Sequence, residues 1–331
     1  MEKKSHHYVA RAYLRSFCNE DGRVCTYSKD RNGQFWFARP EAIGFENYYY
    51  SQPTPEGGRD NNRLEEGFGR FEEKWPPLVA KIGRSELDHG ELISLLQFVL
   101  MHRVRVPTAR DAHERVRAEW IRMAQRSLHE QGKLPPTPAG FDFDFLDQHT
   151  EVAIDPHTSI HAMVDLAKGM QRALDSAGYE ILQNNSSEEF VTSDNPVVYF
   201  DPLKPENSIQ PYNIDRQRMD VELFFAISPT LMLWGHSILR PQFATRGMLC
   251  KPLRELEFVR RANRLIVRFA NKFVFARTDE HQALVREYAS LSPVVEVTHM
   301  GSGANRMLIA RSVFGKRKRK PKWTGAKDDK P

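Results

Sequence analysis

Two histidines near the start of the chain are the first residues whose types suggest chemistry. His6 and His7 stand side by side in the stretch Ser5–Phe17. The spacing of the apolar residues in this stretch predicts a short helix, with Ser5 as its N-cap and both histidines in the first turn. The positive end of a helix dipole favours a neutral ring, so either imidazole would be able to accept a proton. The alternative is that the rings only pack the helix onto the domain.

Two carboxylates at helical spacing form a second candidate group. Residues 61–75 have apolar side chains at positions i, i+4, i+7 and i+11, which predicts one amphipathic helix with that stripe buried: Leu64, Phe68, Phe71 and Trp75. Pro76 and Pro77 are expected to end this helix. Glu65 and Glu72 lie two turns apart beside the stripe. Such a pair suits a divalent cation, Mg or Mn, or acid–base chemistry, but a solvated helix edge has the same pattern.

Arg105 is the candidate for binding a transferring phosphate. It lies at the C-terminal end of the predicted helix His89–Pro107, which is apolar nearly all round and is expected to be central. A guanidinium at this point would stabilise negative charge in a phosphoryl transition state. Basic residues are also favoured at a helix C-terminus by the dipole alone, so the structural explanation stays open.

Asp194 is the candidate carboxylate of the second half. It lies in the sequence Thr192-Ser193-Asp194-Asn195-Pro196, between two predicted strands. Asp and Asn stabilise turns through their own backbone, and Pro fixes the exit, so a turn explains part of this motif. A carboxylate at a strand end is also a common catalytic or metal-binding arrangement. We predict that this turn and the opening helix meet, with His6 or His7 within hydrogen-bonding reach of Asp194, Glu65 or Glu72.

The C-terminus of the chain carries a run of positive charge. The run comprises Lys316, Arg317, Lys318, Arg319, Lys320 and Lys322. The whole chain of 331 residues has a net charge of +5, so the remainder without these six charges is close to −1. These residues are therefore the predicted contact with DNA or RNA, with an affinity that falls as salt rises. The tail 315–331 has no apolar pattern and is expected to be disordered.

Composition limits the remaining possibilities. Hydrophobic residues make up 40% of the chain and charged residues 27%, which is typical of a globular protein. No apolar run approaches the length of a membrane span, and no signal peptide is recognisable, so neither a membrane partner nor secretion is expected. The three cysteines show no C-x-x-C pair, which favours a reduced, cytoplasmic location. A protein partner or a homo-oligomer remains open.

The pattern of predicted elements indicates an α+β fold. A helical first half, to about residue 177, is expected to pack on a mostly antiparallel sheet from the second half, residues 178–314. The predicted strands include a hairpin near residues 22–37 and segments near 179–183, 189–192, 197–200, 221–228 and 231–235. Further helices are predicted at 108–131, 158–177, 262–275 and 279–291. Residues 134–147, rich in proline, are predicted as a loop. Residues 1–314 would form one interleaved domain.

The opening stretch also resembles a bacterial family of unknown function, DUF4238. The family motif H-H-Y-V-P-x-x-Y-L-x-x-F is matched by His6, His7, Tyr8, Val9, Tyr13, Leu14 and Phe17, with Ala10 in place of the proline. Further similarity lies at residues 47–49, at Arg105, at residues 192–196 and at Asn263. The resemblance spans most of the first 280 residues. It implies a layout of the chain and no particular reaction.

The sequence lacks several common catalytic motifs. It has no phosphate-binding loop of the G-x-x-x-x-G-K-[ST] type, no dinucleotide-binding glycine motif, no H-E-x-x-H and no G-x-S-x-G. The leading hypothesis is a nucleic-acid-directed hydrolase, such as a metal-dependent nuclease of the kind used in defence against foreign DNA or RNA. His6, His7, Asp194 and Arg105 would be catalytic, and Glu65, Glu72 and Asp194 would bind the metal. The alternative is a non-catalytic sensor that binds a small anion or a protein partner.

Overall fold

The computed structural model describes residues 4–84, 87–215, 217–301 and 306–321. Its α-helices are α1 Arg11–Arg15, α2 Arg63–Glu72, α3 Trp75–Gly83, α4 His89–Val104, α5 Pro107–Glu130, α6 Phe143–His149, α7 Pro156–Asp175, α8 Arg240–Arg246, α9 Leu256–Phe269 and α10 Gln282–Glu287. No helix within these residues is long and apolar enough to cross a membrane.

The strands are distributed over both halves of the chain. They are β1 Ser5–His7, β2 Val24–Ser28, β3 Gln34–Ala38, β4 Phe45–Asn47, β5 Gln52–Pro53, β6 Arg59–Asp60, β7 Gly178–Asn184, β8 Thr192–Ser193, β9 Val198–Phe200, β10 Glu222–Ser228, β11 Leu231–His236, β12 Leu249–Leu253, β13 Phe273–Ala276, β14 Ser292–Met300 and β15 Met307–Gly315. A five-stranded sheet has the order β12-β7-β11-β10-β9, and a four-stranded sheet has the order β3-β2-β13-β8. All of these pairs are antiparallel except β12 with β7.

The predicted α+β fold is confirmed, with most helices in the first half and most of the sheet in the second. The two halves share one core, because the four-stranded sheet joins the early hairpin of β2 and β3 to the late strands β8 and β13. The main hydrophobic cluster accordingly runs from Tyr8 to Val285. Burial of residues so distant in sequence ties the ends of the chain together.

The longest predicted helices have strong local signals. Helix α4 begins with a capping box, in which Asp88 accepts from the Glu91 backbone and the Glu91 side chain accepts from Asp88. Pro107 occupies the first position of α5, where a missing N–H costs nothing. The prediction of helices over these two segments is confirmed.

The prediction of a single helix over residues 61–75 is wrong. The chain forms two successive helices, α2 and α3. Pro76 and Pro77 do not end the predicted helix but lie in the first turn of α3. Proline fits a first turn because no hydrogen bond is required of its nitrogen. Of the predicted apolar stripe, Trp75 is buried, but Phe71 is 40% exposed.

Three further predictions differ from the structure, the first two because long-range pairing overrides local pattern. The opening stretch was expected to be helical from Ser5, but residues 5–7 form β1, which pairs with β4. The predicted helix 262–275 ends at Phe269, and residues 273–276 form a central strand instead. The predicted loop 134–147 contains the first turns of α6, which Asp142 caps.

Part of the predicted disordered tail lies against the body. Arg317 forms an ion pair with Asp30, and Lys320 pairs with Asp111 at 3.2 Å and with Glu114. Residues 316–321 therefore differ from the prediction, because acidic groups of the body neutralise two of the tail cations. The rest of the tail, including Lys322, lies outside the described residues.

Candidate functional site

The two histidines occupy a strand, so alternation places their side chains on opposite sides of it. His6 is fully buried and stacks on Tyr50, with 5.7 Å between ring centroids. Its Nδ1 accepts a hydrogen bond of 2.8 Å from the Tyr50 backbone N–H. His6 thus holds the chain after β4 in place. Of the predicted pair, it has the structural role.

His7 has an unsatisfied nitrogen. Its side chain packs on Phe45, the residue is 7% exposed, and its Nε2 is buried without a hydrogen-bond partner. Burial and, to a lesser degree, the charges of Arg11 and Arg105 lower the pKa of His7, whereas Glu41 opposes them. The resulting pKa is about 4. The ring is therefore neutral at pH 7. A neutral buried ring with an unpaired nitrogen is suited to accept a proton or to bind a ligand.

Glu65, in the first turn of α2, faces the same strand. Its Oε1 accepts from the His7 backbone N–H at 3.5 Å, and its Oε2 is buried without a partner. Burial raises the pKa of this carboxyl group, while Arg105 and the His7 N–H act in the opposite direction. The protonated acid is therefore favoured more than in water. His7 and Glu65 form the pair that we call the His7–Glu65 site.

Arg105 and Glu72 lie beneath this site as a buried ion pair. The Arg105 guanidinium is fully buried, donates from Nε to Tyr8 O at 3.0 Å and from Nη1 to Glu72 Oε1 at 2.9 Å, and lies 5.4 Å from the Phe68 ring. The Tyr50 hydroxyl donates to the Arg105 carbonyl at 3.3 Å. The Nε and Nη1 donors of Arg105 are therefore already used within the protein. Arg105 supports the site and does not contact a substrate directly.

His102 belongs to the same cluster, although it was not among the predicted site residues. Its Nε2 accepts from the Ala10 N–H at 3.3 Å, and its Nδ1 lies 3.0 Å from Phe98 O. Burial holds the pKa of His102 well below its usual value, and the neighbouring Arg105 charge adds to the effect. Its spacing of three residues from Arg105 was the available signal. The ring thus accepts from the N-cap residue of α1, Ala10, whose own side chain forms no cap hydrogen bond.

Asp194 is not part of this cluster. Its carboxylate accepts hydrogen bonds from three successive backbone N–H groups, those of residues 271, 272 and 273, at 2.8, 2.7 and 3.0 Å. Burial raises the pKa of Asp194, but these N–H groups and Lys29 oppose that shift. The carboxylate therefore organises the chain that leads into β13. The prediction that Glu65, Glu72 and Asp194 surround one metal is not matched by this arrangement.

The predicted meeting of the opening stretch and the 192–196 turn does occur, through a different side chain. The Tyr13 hydroxyl lies 2.6 Å from Thr192 Oγ1 and donates to Ala226 O at 2.6 Å. Asn195, in the same turn, accepts from Thr108 Oγ1 at 3.1 Å and donates to Phe269 O at 2.6 Å. No imidazole of the histidine pair forms a hydrogen bond with Asp194 among the described contacts. The turn joins the two halves as a scaffold.

Four of the predicted nucleic-acid-binding residues, 316–319, line a separate groove of about 450 Å³. Its floor contains Lys29, whose ammonium donates to the carbonyls of Val267 at 2.7 Å, Ala270 at 3.1 Å and Leu291. Burial lowers the pKa of Lys29 to about 7. Lys316, Lys318 and Arg319 are exposed at its rim. These three cations are the ones available to a polyanion.

Within the part of the chain that the structure describes, no three His, Cys, Asp or Glu side chains are grouped as a metal site would require. A family model, described as a protein of unknown function (DUF4238), matches residues 5–280. No curated protein matches the chain. No solved structure matches it either.

Proposed function

We propose that this chain, which belongs to the DUF4238 family, is a hydrolase that acts on phosphodiester bonds in DNA or RNA at the His7–Glu65 site. One observation carries the proposal: His7 Nε2 and Glu65 Oε2 are both buried and both lack partners. An unpaired buried polar atom costs about 1–3 kcal/mol. The two residues are in contact through the His7 backbone N–H, and a bound substrate would supply a partner for each unpaired atom.

The reaction requires a base and an acid, and the two side chains suit these roles. Water attacks phosphorus while His7 Nε2 takes its proton, and the departing oxygen takes the proton of Glu65 as the P–O bond breaks. An imidazole with a pKa of about 4 is a weak base at pH 7. An incoming phosphodiester would offset the charges of Arg11 and Arg105 and so raise the His7 pKa towards neutrality. The same anion would favour protonated Glu65.

The distribution of positive charge supports a polyanionic substrate. Arg11 is exposed on α1 and lies close enough to affect His7. The exposed Lys316, Lys318 and Arg319 would add binding that depends on salt but not on sequence. For the predicted Mg or Mn ion the fit is poor, since Arg105 pairs with Glu72 and backbone N–H groups occupy Asp194. The proposal therefore rests on the side chains alone.

The test is a cleavage screen of the purified protein against DNA, RNA and nucleotides, with added Mg or Mn and with a chelator. Cleavage should be lost in H7A and in E65Q. The matched controls H161A and E66Q alter an exposed histidine on α7 and an exposed glutamate beside Glu65, and both should keep wild-type rates. Equal rates in E65Q and E66Q would place the chemistry elsewhere.

A second candidate, a non-catalytic sensor of an anionic ligand, is favoured by the near-complete burial of His7. A closed site suits a small ligand better than a long strand. Saturable binding of a small anion that H7A abolishes, together with no turnover of any substrate, would support the sensor and reject the hydrolase.

A further inference from the structure

Arg103, in the last turn of α4, differs from Arg105 and Arg110, two other buried arginines. Arg105 is satisfied by Tyr8 and Glu72, as described above. Arg110 donates to Ser159 Oγ at 2.9 Å and to the carbonyls of Tyr49 and Pro156. Arg103 is 7% exposed, yet its Nε and Nη1 have no hydrogen-bond partner. A buried guanidinium with unpaired N–H groups is costly unless an anion or water completes its shell.

The side chains around Arg103 leave that positive charge uncompensated. Its guanidinium carbon lies 3.6 Å from the centroid of the Tyr212 ring, and the Tyr199 ring packs on Tyr212 at 5.1 Å. Both are phenols, of which Tyr199 also forms a hydrogen bond with Arg103, and no ion pair joins Arg103 to a carboxylate within the described residues. A cation–π contact of this kind orients the guanidinium but does not satisfy its N–H donors.

The N-terminus of α5 lies beside this arginine. Tyr212 accepts a hydrogen bond from Asn195 Nδ2, and Asn195 Oδ1 accepts from Thr108 Oγ1 at 3.1 Å, in the first turn of α5. This 24-residue helix has Val106 as its N-cap, no side-chain cap and no acidic residue in its first turn. The positive end of its dipole is therefore also without a compensating negative charge. Two uncompensated positive groups converge on one buried region.

We propose that Arg103, together with the N-terminus of α5, binds a phosphate group. Helix N-termini and arginines are the two groups that proteins most often use for this anion. Two unpaired guanidinium donors beside the positive end of a helix dipole call for an anion with several acceptor oxygens, of which a phosphate offers three and a carboxylate two. This site has contacts distinct from those of the His7–Glu65 site, and its existence does not depend on the hydrolase proposal.

The experiment measures the melting temperature and the calorimetric binding of the full chain at constant ionic strength. Inorganic phosphate is compared with chloride and acetate, and adenosine monophosphate forms a separate arm. Phosphate should raise the melting temperature saturably in the wild type, because a ligand that binds only the folded state stabilises it. R103Q should weaken phosphate binding by at least about tenfold, since a charge-assisted hydrogen-bond donor is lost. R172Q removes the same charge from an exposed position on α7 and should bind normally.

Two outcomes would overturn the site. One is a wild-type protein whose melting temperature rises no more with phosphate than with chloride. Water alone would then be the hydrogen-bond partner of Arg103 Nε and Nη1. The other is an R103Q variant with wild-type phosphate affinity. Should R103Q fail to fold, R103K decides, because it keeps the charge but loses the planar donors: weaker phosphate binding supports the site, and unchanged binding rejects it. If adenosine monophosphate binds more tightly than inorganic phosphate, the ligand is a nucleotide. If the two bind equally, the ligand is free phosphate.

Discussion

The His7–Glu65 site and the 192–196 turn are both buried, polar and prominent in the sequence, but they differ in how completely their hydrogen bonds are made. In the turn, the Asp194 carboxylate accepts three backbone N–H groups. In the site, one atom of His7 and one of Glu65 are left without partners. Satisfied buried groups stabilise a fold, whereas unsatisfied ones must be explained by something that binds. Stability should therefore depend on the turn and function on the site.

The largest effect expected from this comparison is the loss of stability in D194A. Removing the carboxylate leaves three N–H groups near β13 without an acceptor, so the free energy of unfolding should fall by about 3–5 kcal/mol. Urea denaturation measures this change. D165A, at an exposed position on α7, is the control and should unfold like the wild type. A D194A variant of normal stability would remove the distinction between the two regions.

Acid should reveal the cost of burying His7. Its pKa is about 4 in the folded protein and 6.5 as a free side chain, so the unfolded chain binds more protons between these values. The neutral ring therefore contributes stability that is complete above pH 6.5 and is lost as the pH falls towards 4. Denaturation measured at pH 7 and pH 4 should show that H7F loses less stability than the wild type, by about 3 kcal/mol. H161A should keep the wild-type pH dependence, and an unchanged H7F profile would contradict the assignment.

A smaller effect is expected where the two halves of the chain meet. Y13F removes the hydroxyl that contacts Thr192 and Ala226. It should lower the free energy of unfolding by about 1–2 kcal/mol, because the buried acceptors lose their donor. Y48F provides the control, since Tyr48 is 42% exposed. Equal stability of Y13F and Y48F would show that this contact does not join the halves.

The smallest effect on stability is expected at the site itself. E65Q should change the free energy of unfolding by less than about 1 kcal/mol, since Oε2 has no partner to lose and burial already favours the neutral acid. Its cleavage rate should nevertheless fall by about 10²–10⁴, the contribution typical of a general acid. Denaturation and the cleavage assay of the same preparation measure both quantities. A large loss of stability with normal cleavage would reverse the comparison.

The sequence predicted some of the contacts around Arg105 but not the way in which distant segments meet. Helical spacing placed Glu65 and Glu72 on one side of α2, where Glu72 pairs with Arg105 and Glu65 accepts from the His7 N–H, whereas His7 arrives on a strand and not on the predicted helix. The position of Asp194 was not predictable in the same way. Its partners lie 77 to 79 residues further along the chain, and nothing local to the turn indicates that three amides will point at it.

Local periodicity by itself determined helices α4, α5 and α7 and the β2–β3 hairpin, since caps, prolines and apolar spacing act within a few residues. Tertiary structure alone decided that residues 5–7 form a strand, because the backbone groups of β1 pair with β4, some 40 residues away. It also decided which polar atoms remain unpaired. Hydrogen-bond satisfaction is a property of groups brought together by folding, so a sequence can name the histidine and the glutamate but cannot show that each keeps one free atom.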